Sequence, residues 1–358
     1  MKVYLESLGC DSNKADTNRI AKYLVLNNVT IVRTPKVADF VILMSCGFNK
    51  IMLDKNTERI KTLRKATKAR LLLGGCVSKI DKGTRKLVDF CFGPRELDKL
   101  DGFFKFKKKL RGVSPDFIRE GKKIIRIATG CSGKCSYCVI KFANGGTRSR
   151  KVEDIKEDIE SGLRQGIKKF VFTGEDVGSW GQDLGKNICD LIKEVVSISG
   201  DFTIQVTTIN PRWFILYPDL FGVFKLVKIA KKVYLPLQSG SPRILKLMRR
   251  GYGVREYVRI FNKLKSTVQG IQIESDILVG FPTESEKDYD NTSKIVKELD
   301  ISFLQVFVYT DMEGAFSSGL APKVPFGVAE SRARKLMKLF LDKHRCENRV
   351  LVNTNLEF

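Results

Sequence analysis

The sequence predicts an α/β protein in two parts, an N-terminal Rossmann-like parallel-sheet domain followed by a partial (β/α)6 barrel. Three observations predict it. Short apolar strand signals come in two series. Amphipathic helical stretches fill the gaps between them, the alternation that βαβ units and a parallel sheet require. The chain's 358 residues also suffice for about two domains with buried cores.

The first series places strands at 3–7, 40–44, 69–73 and 88–92, with helical patterns at 16–27 and 53–68. This domain takes residues 1–105, and 106–122 form a basic, glycine-containing linker. The second series places strands at 123–129, 168–173, 202–208, 232–237, 270–279 and 303–309, with helices at 152–165, 242–265 and 284–299. Six parallel strands joined by right-handed crossovers curl into an incomplete barrel, spanning 123–348 with a last basic helix at 329–346. The tail 349–358 holds one further strand signal, at 349–352.

Lys and Arg number 64 against 40 Asp and Glu, a formal charge of +24. Such an excess favours a polyanionic partner, nucleic acid first, although a lysine-rich proteome gives the same number. The charge is concentrated: residues 101–150 hold thirteen Lys/Arg and three Asp/Glu, among them Lys105, Lys107, Lys108, Lys109 and Arg111. No apolar run reaches the roughly 18 residues of a membrane span. Glu6 interrupts the place where a signal peptide stays apolar. The expectation is a cytoplasmic protein with no membrane partner. One histidine, His344, argues against a Ser-His-Asp triad, a His-rich zinc site or a di-iron bundle.

Nine cysteines without an export signal point to metal or cluster ligation. Cys131, Cys135 and Cys138 form a CxxxCxxC loop directly after the first barrel strand, on the face where such barrels place their chemistry. Three thiolates with no fourth at matching spacing leave one iron of a cubane cluster open. The competing readings are a zinc knuckle borrowing Cys189, or unrelated thiols. Cys10, Cys46 and Cys76 each follow a strand of the first domain, so a parallel sheet brings them to one edge, where open α/β sheets bind ligands. Cys91 reads as core, and Cys189 and Cys346 read as structural.

CxxxCxxC after the first strand of a six-stranded barrel resembles the radical S-adenosylmethionine (SAM) superfamily. The two triplets together resemble its methylthiotransferase branch. The match includes Ser7-Leu8-Gly9-Cys10 with Asn13, Asp16 and Thr17, then Cys46-Gly47 and Gly74-Gly75-Cys76. In the barrel it includes Arg148-Ser149-Arg150, Thr173-Gly174-Glu175-Asp176, Pro236-Leu237-Gln238-Ser239-Gly240 and the stretch from Asp276 to Pro282. Three departures stand out. Met44-Ser45 occupies the place of a usual Asn-Thr, and Asn144 that of a common Arg. The sequence also stops at Phe358, where members usually carry a C-terminal β-barrel RNA-binding (TRAM) domain. The expectation is a chain lacking that module or cut short before it.

The resemblance implies two [4Fe–4S] clusters, an auxiliary one on Cys10, Cys46 and Cys76 and a radical SAM cluster on Cys131, Cys135 and Cys138. It implies that Gly174 and Glu175 hold the SAM ammonium, that Gln238 and Ser239 bond its ribose or carboxylate, and that Gly280 admits its adenine. Tyr137 reads either as an adenine neighbour or as loop packing. Arg148, Arg150 and Asp176 are substrate-binding candidates, and Trp180 and Asp183 share the loop with Asp176. Arg249 and Arg250 read first as helix-end cations and second as SAM or substrate contacts. The Lys105–Lys109 run reads as a solvated face or a phosphate track between the cluster domains.

The implied reaction uses two SAM molecules. One methylates sulfur held on the auxiliary cluster, and the other yields a deoxyadenosyl radical that opens a C–H bond for methylthio transfer. The implied substrate is C2 of N6-threonylcarbamoyladenosine beside a tRNA anticodon, a base in a single-stranded loop. The charge and the Thr173–Asp176 stretch favour it. Ser7–Cys10 and Cys46-Gly47-Phe48 instead resemble members that modify an aspartate of a small-subunit ribosomal protein. An alternative of another class is a non-catalytic iron–sulfur RNA-binding protein. The implied partners are tRNA, an electron donor protein and a separate RNA-binding subunit.

Overall fold

The computed structural model describes residues 1–344 and 353–354, so Cys346 and the strand signal at 349–352 lie outside the described residues. The N-terminal sheet contains β1 (Lys2–Ser7), β2 (Thr30–Val32), β3 (Phe40–Ser45), β4 (Arg70–Gly75) and β5 (Phe90–Phe92). All pairs are parallel and the order is β2-β1-β3-β4-β5. Its side chains are buried on both faces, as helices above and below require. Val41, Leu43, Leu71 and Leu73 meet helix Lys50–Ala66 through Leu53, Ile60 and Leu63. Ile42, Met44 and Leu72 meet helix Asp11–Leu26 through Ile20, Tyr23 and Leu24. The three-residue edge strand β2 is too short to announce itself by alternation.

The expected linker is partly structured. Here β6 (Asp116–Arg119) and β7 (Lys122–Arg126) form an antiparallel hairpin. Its two turn residues, Glu120 and Gly121, have φ of +52° and +70°, the left-handed pair that a tight hairpin turn demands. Two further short strands, β8 (Ala128–Thr129) and β9 (Arg148–Ser149), bracket the CxxxCxxC loop.

The barrel runs β7, β10 (Lys169–Thr173), β11 (Thr203–Val206), β12 (Lys232–Tyr234), β13 (Gln272–Val279) and β14 (Phe303–Val308). Its pairs are parallel, and a single bridge, Thr208 to Tyr234, joins the two halves. The two-residue β15 (Asn353–Thr354) pairs with β14. Helix Val152–Arg164 shows how the wall closes: Val152, Ile155, Ile159 and Gly162 recur every three or four residues and turn inward. The helix expected over 242–265 breaks into Pro242–Leu247 and Val254–Thr267, because Arg249 and Gly251 both take positive φ.

The two domains share a core. Val139, Met312 and Ala315 of the barrel are buried in the cluster that holds Val41, Leu73 and Val77. Burying an apolar side chain of this kind contributes about 1.5–3 kcal/mol for the larger ones. Phe48 also meets Phe307 edge-on, at 6.0 Å between centroids.

Candidate metal centres

Cys10, Cys46 and Cys76 come together at the carboxyl edge of the N-terminal sheet. The first two follow β1 and β3, the neighbours between which the strand order reverses, and such a switch point opens a crevice. The loops are fixed by their own residues. The Asn13 amide donates to the Ser45 carbonyl at 3.0 Å and accepts from the Ser7 hydroxyl at 2.7 Å. The Asn56 amide donates to the Cys46 carbonyl at 2.9 Å. Gly75 has φ +87°, and a Cβ there would stand 2.4 Å from the Ser45 carbonyl oxygen, so glycine alone lets the chain deliver Cys76.

Every one of the six triplet sulfurs faces a hydrogen-bond donor. Backbone N–H groups of Asn13 and Phe48 point at Cys10 and Cys46, and the Asn144 amide lies 3.8 Å from the Cys76 sulfur. In the barrel loop the Gly133 N–H donates to Cys131 at 3.1 Å. The Arg250 guanidinium donates to Cys135 at 3.1 Å, and the N–H groups of Ile140 and Lys141 serve Cys138. Donors aimed at sulfur suit thiolate ligands. The Cys46 S–H donates to Cys10, which lowers the Cys10 thiol to about 7 and raises that of Cys46. Burial pushes Cys76 and Cys138 up, and Cys131 up to about 12. Cys10 is exposed at this edge.

The donor set fits iron–sulfur clusters: each triplet offers three thiolates without histidine, and each of these sulfurs faces a hydrogen-bond donor. Cys189 packs in the barrel core, away from any knuckle, and Cys91 is half-buried on β5.

The two centres are tied by four side chains. The Glu175 carboxylate, just after β10, accepts from the Gly130 N–H at 2.8 Å, Arg126 at 3.1 Å and the Asn144 amide at 3.1 Å. Arg126 is buried and also binds Asp16 of the N-terminal domain. A continuous chain of contacts thus runs from Gly130, beside Cys131, through Glu175 and Asn144 to Cys76. The interface is reinforced by helix Ile140–Asn144 packing against helix Val77–Ile80.

The other expected residues are placed as follows. Gly174 follows β10, where its Cβ position lies 3.3 Å from the Ala128 carbonyl oxygen. Tyr137 lies against the barrel core and its hydroxyl accepts from Arg250 at 3.2 Å. Gln238, with φ +71°, donates to Asp276 at 2.6 Å. Ser239 is fully buried near Thr292, 3.3 Å away. At Gly280 a Cβ would meet the Ala329 Cβ at 2.3 Å, so the bulk it lacks is taken up by the last helix. Arg250 is not a helix-end cation: it is buried against Cys135 and Tyr137. Arg249 instead lies over the Phe316 ring at 3.8 Å.

Of the substrate candidates, Arg148 is exposed. Arg150 is committed to Asp158 at 2.7 Å and to the Arg126 carbonyl at 3.2 Å. Asp176 is buried, its carboxyl raised by desolvation, and accepts from Trp213 at 2.8 Å beside Cys131. Trp180 is fully buried, and Asp183 accepts from Ser149 at 2.6 Å. Asp276, at the start of the Asp276–Pro282 stretch, is a residue to which the sequence assigns no role. It lines the barrel interior with Gln238 and Arg250, and desolvation raises its carboxyl to about 7.

Residues 125–296 match the model of the Radical SAM superfamily, and residues 2–92 match one described as "Uncharacterized protein family UPF0004". The chain is 32% identical to a ribosomal protein uS12 methylthiotransferase of Thermosipho melanesiensis, covering 95% of this chain and 83% of that protein. It is 29% identical to a probable threonylcarbamoyladenosine tRNA methylthiotransferase of Archaeoglobus fulgidus, covering 95% and 83%. It is 30% identical to a tRNA-2-methylthio-N(6)-dimethylallyladenosine synthase of Thermotoga petrophila, covering 95% and 81%. A solved radical S-adenosylmethionine methyltransferase from Kitasatospora setae shares the fold with a TM-score of 0.62 at 12% identity, covering 88% and 74%. No helix among the described residues is long and apolar enough to cross a membrane. With cysteine triplets on both domains, donors facing every sulfur and these relatives along nearly its whole length, the chain belongs to the radical SAM methylthiotransferase family, whose cofactors are SAM and two [4Fe–4S] clusters.

Proposed function

We propose that this enzyme works in the cytoplasm on tRNA, adding a methylthio group to C2 of N6-threonylcarbamoyladenosine beside the anticodon. The observation that carries the reading is the formal charge of +24, which suits an RNA and has no use for a small neutral substrate. The Thr173-Gly174-Glu175-Asp176 stretch and the likeness to the Archaeoglobus threonylcarbamoyladenosine tRNA methylthiotransferase support the choice of base.

In this reading Cys10, Cys46 and Cys76 hold the auxiliary cluster, and Cys131, Cys135 and Cys138 hold the other. When bound, the clusters supply low-potential electrons and a sulfur carrier. The chain's own residues do the rest. Asn13, Asn56 and Gly75 fix the loops that present the first triplet. Arg126 pairs with both Asp16 and Glu175, so that the thiolates of the N-terminal edge face one net negative charge instead of two. Gly174, Glu175, Tyr137 and Gln238 are the residues that would hold SAM, while Ser239, fully buried against Thr292, and Gly280, packed against Ala329, would shape the strand ends behind it. Burial raises the Asp276 carboxyl to about 7 inside the barrel, so it can take up or give a proton near neutral pH. An external electron donor protein and a separate RNA-binding subunit complete the proposal.

Nucleoside mass spectrometry of bulk tRNA, with and without the gene, tests it. Threonylcarbamoyladenosine gains one methylthio group only when the gene is present. An unchanged nucleoside profile overturns the tRNA reading in favour of a ribosomal-protein aspartate, which Ser7–Cys10, Cys46-Gly47-Phe48 and the Thermosipho relative favour. Failure of the cluster-loaded protein to cleave SAM under reducing, anaerobic conditions instead points to a non-catalytic RNA-binding protein.

A further inference from the structure

The edge of the N-terminal sheet opposite the cysteines carries positive charge that the reaction does not use. Exposed Lys36 lies in the turn before β3, Lys65 and Lys68 close helix Lys50–Ala66, and Lys107, Lys108 and Lys109 follow helix Lys99–Phe104. Packing brings these segments together. Phe40, at the start of β3, meets Phe103 and Phe104 edge-on at 5.8 and 5.3 Å. Arg70, at the start of β4, lies 4.9 Å from the Phe103 ring, and the Lys108 N–H donates to Asn27 at 3.0 Å. An open trough of about 860 Å³ runs past Lys36, Lys65 and Lys68, far wider than one phosphate needs. The carboxylate in its lining, Asp39, accepts from the Lys2 N–H at 2.7 Å, and Arg64 is paired with Asp89 at 2.8 Å. Among the described residues none of the six lysines is paired with a carboxylate.

The Lys105–Lys109 run is therefore not a track between the cluster domains. Helix Asp11–Leu26 starts beside Cys10 and ends beside this edge, and its 16 residues span about 24 Å. A nucleotide seated at the cysteines does not reach that far. An extended polyanion does.

We propose that this edge is a phosphate-backbone footprint for the RNA whose base reacts at the opposite edge, an inference that rests on the tRNA reading above. Six lysine charges with one carboxylate, Asp39, among them leave this edge net positive, and counterion release from a phosphate backbone favours its binding there. The contacts read no sequence. They hold a stem while a loop base is presented to the clusters, so they act on affinity and not on the chemical step.

The test compares full-length cluster-loaded wild type with Lys107→Gln/Lys108→Gln/Lys109→Gln, and with a control triple of equal charge loss, Lys225→Gln/Lys231→Gln/Lys287→Gln. Bulk tRNA is the probe, titrated at several salt concentrations. Losing three phosphate contacts lowers the slope of log affinity against log salt by about 2.7, so the loss between about 50 and 200 mM salt shrinks about 40-fold. The KM for tRNA rises, kcat at saturation stays, and Lys→Arg replacements at the same positions restore binding. Equal binding by the edge and control triples overturns the footprint alone. No tRNA binding by the wild type overturns the footprint and the tRNA reading together.

Discussion

Replacing Arg126 by Met tests the joint between the two centres. Arg126 is 3% exposed and its guanidinium serves Asp16, on the N-terminal domain, and Glu175, on the barrel. At an effective dielectric near 20 and about 3 Å, each pair is worth about 5 kcal/mol before hydration is counted. Removing the shared cation leaves two carboxylates in a poorly hydrated place, and breaking such a buried pair costs about 3–5 kcal/mol net. For 358 residues the unfolding entropy is about 0.75 kcal/mol/K, so the melting midpoint falls by about 4–7 °C. The assay is thermal melting of Arg126→Met, Asp16→Asn and the double variant. Because Asp16 has already lost its ion pair once Arg126 is gone, the double variant melts no lower than Arg126→Met. A midpoint within about 1 °C of wild type, or strictly additive single effects, refutes the reasoning.

Asn144→Leu removes the donor to the Cys76 sulfur. Losing about 0.5–1.5 kcal/mol of preference for the reduced cluster lowers the auxiliary midpoint potential by about 20–60 mV, read by EPR-monitored titration, while the other cluster holds its value. Asp276→Asn keeps an acceptor for Gln238 and removes a carboxyl raised by burial to about 7. The wild-type carboxyl costs nothing below its unfolded value and its full penalty above about 7. The variant's gain in melting midpoint is thus near zero at pH 4 and a few °C at pH 8. Replacing Cys131, Cys135 and Cys138 together by Ala lowers bound iron by about half, since the other triplet is on a separate domain.

Much of this was legible in the sequence. In a parallel sheet the strand ends share an edge, so the placement of Cys10, Cys46 and Cys76 at one edge could be read from their positions. All six barrel strands lie where their apolar runs put them, trimmed by one to three residues at most ends. What hid was what depends on the third dimension. Glu120-Gly121 is a weak turn signal inside a basic stretch, and it concealed the hairpin that structures the linker. Arg250 reads as a cap because it follows a helical pattern, but positive φ at Arg249 ends the helix and turns Arg250 into the barrel. Arg126 sits in a strand that reads as apolar, and only Asp16, 110 residues away, shows why it is buried there. The lysine run was visible as charge, but its edge of the sheet was not. That edge is set by Phe103, Phe104 and Phe106 folding back onto Phe40 and Tyr23.

The division of labour between the domains is tested most directly by single substitutions in each triplet. Reconstituted wild type, Cys46→Ala and Cys135→Ala are given SAM, a reductant and unmodified tRNA, and both 5′-deoxyadenosine and methylthiolated nucleoside are measured. The account expects both products from the wild type, 5′-deoxyadenosine without methylthio product from Cys46→Ala, and neither from Cys135→Ala. Methylthiolated nucleoside from Cys46→Ala, or 5′-deoxyadenosine from Cys135→Ala, contradicts it.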